Sequence, residues 1–402
     1  MRSICMTFAI TAAGLLLFSG FAQASDVEAE LRQMQERITD LESQLGSETD
    51  SFLPTREEAG SAVSAMLENT DIGGFAAGSY NYNFEYFHNS AVGGTANNVA
   101  STHLTSNTFQ VDQVWVSIAN AATEDSRGGF NIEYEWGQVN DVGAGGALYA
   151  ASVSYLAPVL GGVNLDLGLL PTMIGAEVNQ TNGNLNVTRG IVWGIQPVTN
   201  LGAVASMQAT DSISISFGVL NDIRRDTGGP MFDNDNEKAI TGQVAWAGDD
   251  ASASFSFNWG DSNADWSGLP GAGARSETGT YDFILNYGGM EDVSMWANYT
   301  LVSVDDGLLE GETHGIAVAA RMALNESSGI AVRGEALIID LDAAETEFYS
   351  LTFTGDNALT DSLTAKVELR LDFSSDDVLP DSRGLPSEDV AAMVLAQLVY
   401  EF

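Results

Sequence analysis

The chain has a single cysteine, Cys5, and only two lysines, Lys238 and Lys366, in 402 residues. Histidine occurs three times, at His88, His103 and His314. Beyond the first two dozen residues, no stretch approaches the ~20 consecutive apolar residues of a membrane-crossing helix. Each scarcity excludes something. One cysteine cannot build a disulfide framework, and it falls in a segment expected to be removed, so thiol chemistry is excluded as well. Lys and Arg total 15 against 55 Asp and Glu, a formal net charge of −40, which would repel nucleic acid. The three histidines show no H-x-x-x-H spacing, and none stands at elbow spacing from a Ser and an Asp. The expectation is a non-enzymatic chain with no cofactor and no resident metal. NDIRRDTGGPMFDNDNEK carries Asp233 and Asp235. It lacks the Gly and terminal Glu spacing of a calcium loop, so an acidic exterior loop is expected.

What is present begins with a leader. Arg2 supplies a positive start, FAITAAGLLLFSGF an apolar segment and Ala22-Gln23-Ala24 a cleavage site, so residues 1–24 are expected to be a signal peptide. Residues 25–46 change rhythm. Val27, Leu31, Met34, Ile38, Leu41 and Leu45 alternate steps of four and three, the seam of a short coiled coil. It either packs on the rest of the chain as an amphipathic helix or joins identical chains in parallel, with a trimer as the natural number. Residues 47–70 form a linker in which Thr55 and Glu58 make a capping box for a short helix.

From Asp71 to Phe402 the period is two. In DASASFSFNWG, Phe255, Phe257 and Trp259 oppose Ser254, Ser256 and Asn258; in LTAKVELRLDF, Val367, Leu369 and Leu371 oppose Lys366, Glu368, Arg370 and Asp372. Aromatics gather at strand ends, as Tyr80, Tyr82, Trp136, Tyr287, Tyr400 and Phe402 do. Short turns such as ATDS, AGDD and GGMED alternate with long connections near 87–107, 171–196, 222–237, 261–275 and 375–387. Strand-length apolar faces, aromatic girdles and alternating loop lengths predict a transmembrane antiparallel β-barrel of about sixteen strands, within fourteen to eighteen. Sixteen strands enclose an aqueous channel, and lipid requires that the first and last strands pair.

Several segments, in order, resemble the OmpL-like family of β-barrel porins. GGFAAGSYNYNFEY is similar to its opening strand. ASVSYLAPVLGGVNLDLGLLPTMIGAEV and NVTRGIVWGIQPVTNLGAVA are similar to its central strands and the loop between them, and ELRLDFSSDD with LAQLVYEF to its close. The resemblance spans roughly residues 70–402 and implies an outer-membrane channel of a Gram-negative bacterium. Its partners would be outer-membrane lipid, ions and small hydrophilic solutes, other copies of the chain, and the barrel assembly machinery, whose signal a terminal strand ending in Tyr400 and Phe402 resembles. Other readings are a solute-specific channel, or a structural anchor that tethers the envelope through a periplasmic coiled coil.

Alternation also assigns the lumen. It places Asn81, Asn83, Glu85, Glu133, Glu135 and Asp166 on one arc, and Arg321, Arg333, Lys366 and Arg370 with Glu335, Glu368 and Asp372 on another, the two facing each other across water. These charges either neutralise one another as wall pairs or set a transverse field on permeating ions. The excess of carboxylates favours weak cation preference. The stretch PTMIGAEVNQTNGNLNVTRGIVWGIQ is too apolar for a purely exposed loop. It is expected to fold inward and narrow the pore, with Arg189 near the constriction, or else to pack over a neighbouring subunit. Leu395 and Val399 of the last strand fall on the lumen side, where water is expected.

Overall fold

The computed structural model describes residues 70–84, 103, 106–139, 143–223, 237–262, 276–305, 310–341, 344–380 and 386–402. The leader, the heptad seam from Val27 to Leu45, the capped helix, Glu85 and the Asp233–Asp235 loop lie outside the described residues.

Eighteen strands are described: β1 (Asp71–Asn83), β2 (Thr108–Asn120), β3 (Gly128–Gly137), β4 (Gly143–Ala157), β5 (Val163–Pro171), β6 (Thr199–Thr210), β7 (Ile213–Leu220), β8 (Ala239–Ala247), β9 (Ala251–Ser262), β10 (Ser276–Met290), β11 (Val293–Asp305), β12 (Gly311–Ala323), β13 (Ser328–Leu341), β14 (Ala344–Thr360), β15 (Leu363–Ser374), β16 (Leu379–Pro380), β17 (Pro386–Glu388) and β18 (Val390–Glu401). Sixteen of them close an antiparallel barrel; β1 to β15 lie side by side in chain order, and β18 fills the gap between β15 and β1. β16 and β17 form a small ribbon in the last long connection.

The two-residue alternation separates the faces. On β15, Lys366, Glu368, Arg370 and Asp372 are buried on the inner side, whereas Val367 is 63% exposed on the outer side. Phe217 and Leu167 are likewise exposed. A continuous band of apolar side chains turned outward is costly in water and favourable against hydrocarbon chains.

Closure depends on the chain end. Ala76 stands opposite Tyr400, and Asn81 opposite Leu395. The Gly74 N–H donates to the Phe402 carbonyl (3.1 Å), and the Phe402 N–H donates to the Gly74 carbonyl (3.0 Å). The Phe402 ring lies over Gly74, where a Cβ would stand 2.7 Å from that ring and 2.2 Å from the Trp115 carbonyl oxygen. A bulge marks the other side of β1. Ala77 pairs with Gln113 and Gly78 with Val111, leaving Asp112 as the extra residue. Asp112 and Gln113 are consequently both buried, although they are adjacent in sequence.

Candidate functional site

Residues 172–198, between β5 and β6, leave the long-loop rim and enter the barrel. The segment has two 3-10 turns, Thr181–Gly183 and Trp193–Ile195, and is otherwise irregular. Its path is fixed by hydrogen bonds to the wall. The Gly175 N–H donates to Asp282 on β10 (3.0 Å) and the Ala176 N–H to Asn298 on β11 (3.3 Å). The chain then crosses to β2 and β3. There the Asn179 amide donates to Glu135 (3.0 Å), the Gln180 amide to Glu133 (3.1 Å), and Gln113 accepts from the Thr181 N–H (2.9 Å). It continues to β14 and β15, where Asn186 donates to Thr354 (2.7 Å) and Glu368 accepts from Val187 and Thr188. It returns along β13, where the Val192 N–H reaches Glu335 (3.2 Å), to β11, where Gln196 donates to Asn298 and Thr300 (2.8 Å each). The loop therefore spans the lumen between walls that are far apart in sequence.

An irregular backbone buried in a barrel has no ladder to satisfy it, so each N–H and C=O needs another partner. Charged wall residues supply many of them. Arg333 donates to the Thr188 carbonyl (2.7 Å), Arg370 to the Arg189 carbonyl (2.7 Å) and Lys366 to the Asn184 carbonyl (2.6 Å). Glu368 accepts two loop N–H groups and the hydroxyls of Thr188 and Thr354. Arg333 is further held by Glu177 of the loop (2.5 Å) and Glu335 (2.9 Å), and Arg370 by Asp372 (2.9 Å). Apolar contacts complete the seat. Val187 packs on Met393 and Leu395. Ile191 and Val192 pack on Ala317 and Leu337.

The position of each expected lumen residue follows. Asn81, Asn83 and Glu135 are buried on the inner wall; Glu133 and Asp166 are on the same side but partly exposed. Arg321 faces inward and is paired with Asp356 (2.6 Å). Arg333, Glu335, Lys366, Glu368, Arg370 and Asp372 are all buried. The two arcs do not face each other across open water at this level: the loop lies between them and bonds to both. Nor do Lys366, Glu368 and Arg370 chiefly neutralise one another, because each is turned onto the loop. Leu395 and Val399 do face inward, yet they are dry, Leu395 under Val187 and Val399 in a cluster with Phe75, Trp115, Tyr149 and Val198.

Arg189 is fully buried within the loop's own fold rather than presented to a passage. It donates to the carbonyls of Val178 (3.0 Å), Asn179 (2.5 Å) and Val187 (3.3 Å) and to the Thr181 hydroxyl (3.2 Å). Asn184 reinforces the same turn, accepting from the Val178 N–H and donating to the Val178 and Gln180 carbonyls. Burial pulls the Arg189 guanidinium down to about 10, against the attraction of Glu177, and leaves it charged at neutral pH. Arg189→Lys keeps the charge but cannot reproduce a planar fork of donors. It should destabilise the docked loop by about 2–4 kcal/mol through orphaned carbonyls, seen as faster proteolysis within 176–190 in the otherwise intact barrel.

Four contributors are not singled out by the sequence reading. Asp112 and Gln113 are displaced by the bulge, Glu177 sits in the loop, and Asp282 becomes meaningful only as the acceptor for Gly175. Only Asp282 had a signal, as the lone carboxylate on the serine-and-threonine face of its strand.

The fold matches several solved outer-membrane proteins at low sequence identity. An anion-selective porin from Comamonas acidovorans is 12% identical, with a TM-score of 0.57 over 83% of this chain and 99% of that one. OmpT of Vibrio cholerae in its trimer form is 10% identical, with a TM-score of 0.56 over 83% and 99%. The outer membrane channel DcaP of Acinetobacter baumannii is 12% identical, with a TM-score of 0.56 over 83% and 97%. At these identities the likeness concerns fold. No curated protein sequence matches the chain. The sequence profile of the family described as "Putative beta-barrel porin-2, OmpL-like" matches residues 69–402. With its closed sixteen-stranded barrel and more than four-fifths of its length covered by that profile, the chain belongs to this porin family.

Proposed function

We propose that the protein is a passive diffusion channel for ions and small hydrophilic solutes, set in the outer membrane with its short-turn rim toward the periplasm. The observation that carries this reading is the inner surface. A closed barrel with an apolar exterior has much of its inner wall built from hydroxyls, amides and charged side chains, and the loop 172–198 crosses the lumen as a constriction. Such a wall replaces part of a solute's hydration shell, and the constriction sets the size limit. Catalysis is no part of the proposal. The Vibrio OmpT solved as a trimer supports a homotrimer here, and the heptad seam would hold three copies together or contact the cell wall. Phe402 at the seam supports recognition by the barrel assembly machinery.

The depth at which the loop is seated favours a second reading, a sealed barrel that anchors the envelope. Purified protein in planar bilayers separates the two. Stepwise single-channel conductance is expected; a correctly folded barrel that passes no current would establish the anchor instead. Crosslinking in detergent should stop at three chains.

A further inference from the structure

On the barrel strands, Lys and Arg occur only at Arg321 on β12, Arg333 on β13, and Lys366 and Arg370 on β15. Strands β1 to β11 carry none. All four cations are occupied: Arg321 by Asp356, and the other three by the backbone and carboxylates around the loop. Arg333, Arg370 and Lys366 are nearly or wholly withdrawn from water.

Two carboxylates are held differently. Glu133 accepts from the amides of Asn131 (2.7 Å) and Gln180 (3.1 Å). Asp166 accepts from the Ser154 hydroxyl (2.5 Å) and the Asn164 amide (2.7 Å). Every one of these partners is neutral, so each carboxylate is fixed in place without losing its charge. Both are partly exposed to water, and Glu133 stands where the loop tip meets the wall. Nearby inward residues, such as Ser206 and Ser216, add hydroxyls and no charge.

We infer that the channel selects cations, including small ammonium and guanidinium solutes, over anions of similar size, and that Glu133 and Asp166 are the residues that set this preference. The loop makes the selection one-sided. It buries the positive charges of β13 and β15 in its own seat together with Glu335, Glu368 and Asp372, and leaves Glu133 of β3 and Asp166 of β5, whose partners are neutral, partly exposed to the passage. A unit charge beside a water-filled path raises cation and lowers anion occupancy together, so the two effects multiply in the permeability ratio.

The inference rests on the channel reading, and the test separates them. In planar bilayers under a KCl gradient, the reversal potential of the parent should lie on the potassium side. Glu133→Gln with Asp166→Asn should lower the potassium-to-chloride permeability ratio roughly threefold or more, with conductance retained. Asp166→Asn alone removes one of the two charges and should give a smaller shift in the same direction. Glu312→Gln, a carboxylate on the outer face of β12, should change nothing. A parent that passes no current overturns the channel reading and this inference with it. A conducting parent that prefers chloride, or a double variant with an unchanged ratio, overturns this inference alone.

Discussion

Excising residues 176–190 and joining the ends with a short Gly-Ser link should raise single-channel conductance severalfold. The loop fills the space between β2–β3 on one side and β13–β15 on the other. The barrel does not need it for closure, because all sixteen strands pair with their neighbours without any loop residue. Excision removes Glu177 and Arg189 and returns Arg333, Lys366, Arg370, Glu335 and Glu368 to water. Those wall charges can be solvated once the lumen is wet, so the barrel should remain folded. Cation preference should persist, because the three uncovered cations join the lining together with the carboxylates Glu335, Glu368 and Asp372. Recordings at several salt concentrations read both effects. An unchanged conductance would mean that the loop does not form the constriction.

Much of this barrel is written in its alternation. The strands of 251–262 and 363–374 show their faces directly, and both the loop-length asymmetry and the closing strand followed from the same two-residue rhythm. What alternation cannot show is who sits opposite an inward residue. Leu395 and Val399 look misplaced in a wet lumen until Val187 and the Phe75–Trp115–Val198 cluster cover them. The excess apolar residues of the loop (Ile191, Val192) and those of the inner wall (Ala317, Leu337) were two halves of one contact, separated by more than a hundred positions. The charges behaved likewise. Arg333 beside Glu335 was legible as a pair, but their joint grip on Thr188 and Val192 depends on a loop without regular structure, which no periodicity encodes. A single bulge placed Asp112 and Gln113 on the same side, against parity.

Gly74→Val should largely abolish barrel assembly. Its Cβ would press within 2.2 Å of the Trp115 backbone oxygen, which cannot turn aside as a side-chain tip would, and within 2.7 Å of the Phe402 ring. The collision falls where β2, β1 and the chain end meet, so relief must come from unpairing β1 on one side. An unpaired edge in hydrocarbon leaves several backbone groups without partners, each costing a few kcal/mol. Refolding into lipid vesicles, followed as the heat-modifiable band on gels, should show little folded product. Gly355→Val on β14, where a Cβ would meet nothing within 4 Å, is the matched control and should fold normally. Normal folding of the Gly74 variant would show that the seam tolerates displacement of Phe402. Deleting Phe402 should impair assembly in cells, and should do so even where refolding into vesicles succeeds if the residue also serves recognition.

The pairing of β1 has a mechanical meaning. It begins at the short-turn rim and is bonded along its length to β2 on one side and β18 on the other. Antiparallel bonds run perpendicular to the strands. Tension arriving through the chain before Asp71 and directed along β1 therefore loads both rows of bonds in shear, sharing the force among many at once, instead of peeling them open one by one. The Gly74–Phe402 bonds lie at the loaded end of that joint. A strand held in this way can carry a pulling load into the membrane without opening the barrel.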